Sequence, residues 1–236
     1  MIRVGTSGFS YKEWKPRFYP KELPAAKLLD HYATRLRAVE VNNTFYRRPD
    51  KKNLEAWAAR VPADFRFVFK ASRYFSAGPG LRNARAPLAE FFGALSGVGE
   101  KLGCVLVQLP EHLKKDVALL SDFVGAIPAG KRVALDLRDP SWRADDVRDV
   151  MRRAGVAWCA TESDDEPLDL VVTAPFAYVR LRKSRYDARS LAALAARLGD
   201  LRDGYVIFKH DERGASALHA ARLQAHLDQA RILSTT

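Results

Sequence analysis

Glu40, Lys70 and Asp136 are the residues of this chain whose types and surroundings could carry out chemistry. Each lies in a short apolar run of strand character: Val39-Glu40-Val41-Asn42, Phe67-Val68-Phe69-Lys70 and Val133-Ala134-Leu135-Asp136. Two carboxylates in one site can divide general acid and general base roles when their environments push their pKa values apart. Flanking Lys and Arg residues would keep both ionised, which suits a base better than an acid. A strand-borne lysine could instead act as an amine nucleophile. That role wants a lysine whose charge is disfavoured, and a neighbouring carboxylate does the opposite, so an electrostatic role is expected for Lys70. Buried carboxylates also require answering charges or donors, and the same residues fit an architectural ion-pair network.

A second constellation is basic and aromatic. Arg138, Arg180 and Arg182 with Lys70 offer planar forks and a point charge suited to phosphate or carboxylate. Asn42 and Gln108 end strand-like runs in comparable places, and Trp14, Tyr46, Trp142 and Asp211 lie on or near the following loops. Aromatic faces beside arginines could stack on a base or a sugar. For Phe18 and Tyr19 a hydrophobic lid is the simpler reading. Trp142, after Pro140-Ser141, also fits a staple at a helix start. A divalent-metal site would need Glu40, Asp136 and Asp211 to converge with His210 or Glu162. The arginines would repel a cation there, so a divalent metal is only weakly supported and no metal ligand is assigned, although phosphodiester-cleaving barrels keep it the variant to test. The sequence itself requires no cofactor.

These residues need elements to position them. Strand patterns fall at 2–7, 38–43, 65–71, 104–109, 132–138, 156–161, 177–182 and 204–210. Helical periods fall near 23–36, 50–60, 86–97, 113–126, 144–154, 188–198 and 213–230, while 165–174 is too broken by proline for a helix. Eight strands joined by crossovers predict an α/β fold: one (β/α)8 barrel of TIM type, a closed parallel sheet over residues 1–236. An open doubly wound sheet is the competitor, but Gly5-Thr6-Ser7-Gly8 has neither dinucleotide spacing nor a P-loop lysine. Alternation then turns Glu40, Asn42, Lys70, Asp136, Arg138, Arg180 and Arg182 inward at the C-terminal ends of strands. Lys70 and Arg180 are expected to balance the two carboxylates, leaving Arg138 and Arg182 in excess. For the last strand, alternation leaves Lys209 and His210 both open. The long connections 7–22 and 72–86 read as irregular and functional.

Composition bounds the partners. With 39 basic residues against 28 acidic, the net charge is +11, which favours an anionic small molecule or nucleic acid. Cys104 and Cys159 sit in apolar runs and read as reduced core thiols. The chain starts directly in a strand pattern, with no signal-peptide pattern and no run of membrane-spanning length, so a cytoplasmic location without membrane association is expected.

At this point the residues become recognisable. Gly5-Thr6-Ser7-Gly8 with Tyr11 and Trp14, then Phe18-Tyr19-Pro20, Glu40 with Asn42, and Thr44-Phe45-Tyr46 open the pattern. Phe67 with Lys70-Ala71-Ser72, Gln108-Leu109-Pro110, Arg138 with Pro140-Ser141-Trp142, Tyr178-Val179-Arg180-Leu181, and Asp211 with Gly214 complete it. In order and spacing the chain resembles the YecE-like family of uncharacterised proteins, a group with a TIM-barrel fold. The resemblance implies that barrel and no established reaction. The chain departs from the family pattern at Asp136, where Glu is usual, and at Asp139, where His is frequent. It departs again at Arg182-Lys183, in place of His-Gly, and at Lys209-His210, in place of Asn-Asn. The expectation is an enzyme for a phosphorylated or other anionic substrate, working by acid/base chemistry or phosphodiester hydrolysis. The alternatives are a protein that binds or processes nucleic acid with the same face, and a non-catalytic binding protein.

Overall fold

The computed structural model describes residues 1–76, 79–209, 211 and 213–233. Eight parallel strands close into a barrel in chain order: β1 Ile2–Ser7, β2 Ala38–Val41, β3 Arg66–Lys70, β4 Leu102–Gln108, β5 Val133–Asp136, β6 Ala157–Glu162, β7 Ala177–Leu181 and β8 Gly204–Phe208. The sheet closes where β8 pairs β1, with Ile2 opposite Gly204 and Thr6 opposite Phe208. Alternation sorts the side chains as the sequence predicts. Val68, Leu106, Ala134, Tyr178 and Ile207 fill the interior, while Phe67, Val105, Leu135 and Val179 pack outward under the helices. Tyr205 and Ile207 point inward, so Lys209 continues the inner parity of β8. His210 lies outside the described residues.

The outer layer is built from α1 Leu28–Ala33, α2 Lys51–Ala59, α3 Arg73–Ser76, α4 Pro79–Arg82, α5 Arg85–Ala94, α6 Val117–Gly125, α7 Asp145–Ala154, α8 Ala188–Gly199 and α9 Ala215–Leu233. Their starts follow from local chemistry. Asp50, Asp116 and Asp187 each accept a backbone N–H from the first turn of α2, α6 and α8, which satisfies donors the helix cannot. Gly155 ends α7 in the left-handed conformation, at φ 64°. Between β6 and β7 the chain runs without a helix, as the prolines there predict. Among the described residues no helix is long and apolar enough to cross a membrane.

Two local readings change. The 72–86 connection is not simply irregular, since it carries α3 and α4. Phe75 on α3 packs edge-on against Phe91 and Phe123, which holds these short turns where propensity alone would not. Strand β4 begins earlier than predicted because the register slips between Phe67 and Val68, with Leu102 and Cys104 as successive partners. Gly103 is the extra residue, pressed near the Tyr205 hydroxyl.

The 7–22 connection folds into an aromatic lid. Trp14, Phe18 and Tyr19 are buried, with Trp14 and Phe18 centroids 5.7 Å apart and Phe18 and Tyr32 centroids 6.0 Å apart. Tyr32 of α1 reaches between β1 and β2, where its hydroxyl accepts the Thr6 N–H at 2.9 Å and donates to the Ala38 carbonyl at 2.8 Å. Gly5 makes that approach possible, because a Cβ there would collide with the Ala38 carbonyl. Gly5→Ala should therefore destabilise the barrel by about 3 kcal/mol or more, read as a lower urea midpoint with an unchanged m-value.

Candidate functional site at the barrel mouth

The centre of the mouth is Arg180, which ends β7 on the inner face. Its Nη2 donates to Glu40 Oε1 at 3.0 Å and its Nη1 to Asp136 Oδ2 at 3.2 Å. One guanidinium thus spans the ends of β2 and β5. Glu40 is fully buried, at 0% exposure, and two hydroxyls add to its shell. Ser7 Oγ donates to Oε1 at 2.7 Å and the Tyr178 hydroxyl to Oε2 at 2.6 Å. Burial alone would raise the Glu40 pKa, but Arg180 and the hydrogen bonds from Tyr178, Ser7 and Asn42 outweigh it and hold the carboxyl below its ordinary value. Burial likewise opposes the charge on Arg180, and Glu40 and Asp136 more than restore it. Gln108 Nε2 donates to Asp136 Oδ2 at 2.7 Å. All of these side-chain contacts fall on Oδ2, and Asp136 borders a cavity of about 360 Å³.

The partners differ from the expected ones at two cations. Lys70 does not balance a carboxylate: among the described residues none lies within 4.0 Å of its Nζ. The amine instead rests 4.2 Å from the Phe45 ring centroid, an attraction worth about 0.5–1 kcal/mol to the ammonium. Burial, then Arg180, work against that charge, with Glu40 opposing and Arg138 adding to them, and the Lys70 pKa falls. Arg138 is not in excess either. Its Nη1 meets Glu111 Oε1 at 2.7 Å, and its Nε lies 3.8 Å from Asp136 Oδ2. Arg182 does remain without a carboxylate or hydrogen-bond partner for its guanidinium among the described residues. Burial, then Arg180 and Arg138, press its pKa down, yet an arginine stays charged. Arg182 lines the same cavity as Asp136, Arg138, Thr161 and Ser163.

Not every anticipated residue gathers here. Trp14 is buried in the lid and its indole N–H donates to the Asp211 carbonyl at 2.8 Å. The Asp211 carboxylate caps α9, accepting the N–H groups of Arg213, Ala215 and Ser216 and the Ser216 hydroxyl. Trp142 is buried as well, donating to the Leu113 carbonyl at 2.7 Å. Tyr46 is 74% exposed and borders a separate groove of about 320 Å³ with Arg47, Arg48, Tyr74 and Glu90. Asn42 reaches the mouth, where its Oδ1 is buried without a hydrogen-bond partner. The carboxylates needed for a metal site turn elsewhere, Asp211 to its cap and Glu162 to Lys183 at 2.8 Å. Among the described residues no group of three or more His, Cys, Asp or Glu is placed to hold a metal ion.

Sequence reasoning missed Ser7 and Glu111. Ser7 was within reach, since alternation from Gly5 along β1 turns it inward beside Glu40. Glu111 sits in a loop, where no periodicity applies.

Glu40→Gln removes the charge that answers Arg180 and should cost about 3–5 kcal/mol at neutral pH, the range for breaking a buried pair. Because folding lowers the Glu40 pKa, its contribution is complete above the ordinary carboxyl value of about 4.5 and fades as pH falls through the lower folded value. The stability gap between wild type and Glu40→Gln, from denaturant unfolding, should accordingly narrow below about pH 4.5.

The model of the family described as "Protein of unknown function DUF72" matches residues 3–236. The chain is 26% identical over 145 residues to UPF0759 protein YecE of Escherichia coli (strain K12), covering 61% of this chain and 51% of that protein. It is 28% identical over 157 residues to UPF0759 protein YunF of Bacillus subtilis (strain 168), covering 60% and 52%. The chain thus spans about half the length of the curated relatives it matches. A DUF72 family protein from Thermotoga maritima shares the fold with a TM-score of 0.83 at 23% identity, over 97% of this chain and 99% of that one. One from Enterococcus faecalis gives 0.80 at 22%, over 97% and 96%. Matched from its first strand onward, the chain belongs to the DUF72 family, the group toward which its YecE-like motifs point.

Proposed function

We propose that the protein is an enzyme that binds a phosphorylated or otherwise anionic small molecule at the C-terminal mouth of the barrel. One observation carries this reading: among the described residues Arg182 lines the cavity with no carboxylate within ion-pair distance, while Arg180 and Arg138 are held by carboxylates. A half-buried planar fork of this kind is suited to a phosphate or carboxylate group. The hydroxyls of Thr161 and Ser163 line the same space and would share the anion's oxygens. Asp136, with Oδ1 outside the hydrogen bonds its partners make, is the carboxylate placed to move protons. Glu40 is enclosed by Arg180, Tyr178 and Ser7 and acts through Arg180, holding it in place.

A second reading rests on the neighbouring groove. Tyr46 and Tyr74 are exposed there beside Arg47 and Arg48, an interleaving that suits stacked bases and a phosphate backbone. In that case the same face handles nucleic acid or another phosphodiester.

Thermal unfolding with inorganic phosphate, sugar monophosphates and dicarboxylates tests the first reading. A ligand at a hundred times its Kd should stabilise the protein by about 2.7 kcal/mol and raise Tm by about 5–10 °C. Arg182→Ala should abolish the shift while leaving the unliganded Tm within a few degrees. No shift with any anion would reject the reading. Single-stranded polynucleotide affinity should be weak and flat with salt. A steep loss, with a log–log slope of about −0.7 per phosphate contacted, would favour the second reading instead.

A further inference from the structure

The N-terminal end of the barrel, opposite the mouth, gathers a second set of charges. The alternation that turns Val68, Ala134 and Tyr205 inward gives Arg66 and Arg132 the same inner parity, and Arg3 shares it on β1. These arginines stand at the starts of β1 and β3 and just ahead of β5. Asp203, just ahead of β8, joins two of them. Arg3 Nη1 meets its Oδ1 at 2.9 Å and Arg132 Nη1 its Oδ2 at 2.6 Å. Arg66 has no such partner, its Nη1 donating to the Ala63 and Phe65 carbonyls at 2.7 and 2.9 Å. The Lys131 amine lies 6.0 Å from the Phe92 ring centroid. Among the described residues no carboxylate lies within 4.0 Å of the Arg66 or Lys131 nitrogens.

All four cations and Asp203 line one cavity of about 290 Å³. A staple that merely closes this end of the barrel needs Arg3, Arg132 and Asp203, and Arg66 and Lys131 add nothing to it. Tyr205 brings a neutral donor to the same space. It is buried, at 2% exposure, yet it lines the cavity and reaches Arg132. Burial pushes its phenol up to about 12, so the hydroxyl keeps its proton. Among the described residues no acceptor takes that hydrogen. Gly103, the bulged residue, leaves room for the phenol, since a Cβ there would stand 2.9 Å from the hydroxyl oxygen.

We propose that this cavity is an anion site for a diphosphate group, at the end of the barrel opposite the mouth. One carboxylate answers four cations there, and a single phosphate group brings about 1.5–2 negative charges, fewer than the excess. Two linked phosphates match it. The arginine forks suit the terminal oxygens, Lys131 acts as a point charge, and the Tyr205 hydroxyl donates the one neutral hydrogen bond. The group is either free inorganic diphosphate or the diphosphate of a nucleotide. Its binding ties the starts of β1, β3, β5 and β8 together.

Titration calorimetry on the full chain tests this at physiological salt, with Arg182→Ala as the parent so that the mouth does not contribute. Pyrophosphate should bind with one-to-one saturation. Lys131→Glu, at an exposed position, should keep the parent's Tm within a few degrees and raise Kd by about tenfold or more. Lys21→Glu makes the same change of charge on the 7–22 connection and should alter Kd by less than about threefold. ADP binding more tightly than pyrophosphate would support a nucleotide as the source, and pyrophosphate binding at least as tightly would support free diphosphate. Absence of saturable binding, or equal weakening by the two charge reversals, overturns the proposal, whatever binds at the mouth. Inorganic phosphate binding as tightly as pyrophosphate overturns the diphosphate assignment.

Discussion

Arg180 holds two carboxylates from different strands at once, and much of the mouth follows from that arrangement. Removing three charges from water is costly, and their attraction repays it only when the remaining lone pairs are also satisfied. Ser7, Tyr178 and Gln108 supply those donors. The ends of β1, β2, β4, β5 and β7 are thereby tied into one hydrogen-bonded layer. Two carboxylates against one guanidinium leave this layer one negative charge. That charge draws Arg138 toward Asp136 and offsets part of the repulsion felt by Lys70 and Arg182 above it.

The barrel was legible because its strands are buried on both faces and the residues alternate in type. Which residues turn inward could be read directly, including Glu40, Lys70, Asp136 and Arg180. Who pairs with whom could not. Arginine has a fork that answers two carboxylates at once, whereas a lysine offers a single nitrogen from one strand end. Charge alone does not separate the two, and the carboxylates expected beside Lys70 are taken by Arg180 in the fold. Loop residues escaped for another reason. Trp14 and Trp142 looked available for stacking, but an indole N–H under a lid needs an acceptor, and backbone carbonyls supply it. Asp211 carried the same ambiguity, since an acidic residue just ahead of a helix serves equally as a cap.

The departures from the family pattern now divide by depth. Asp136 lies within the innermost layer, where Arg180 and Gln108 reach it. Arg182 stands one step further along the same strand parity, at the rim, where a new cation disturbs no existing pair. A change of charge at the rim alters what the mouth attracts, while the layer below it keeps its shape.

The Tyr32 hydroxyl has an effect on motion. Between β1 and β2 one link of the sheet is made by a side chain borne on α1, not by the backbone alone. Fraying of that short helix withdraws the acceptor of the Thr6 amide even while the strands stay paired. Hydrogen exchange at Thr6 should therefore follow the opening of α1, in contrast to the amides of β5, whose release should need the barrel itself to open. The link lies next to Ser7, so the same excursion loosens the donor that Glu40 depends on. The aromatic lid and the buried carboxylate are thus joined mechanically, through one phenolic oxygen.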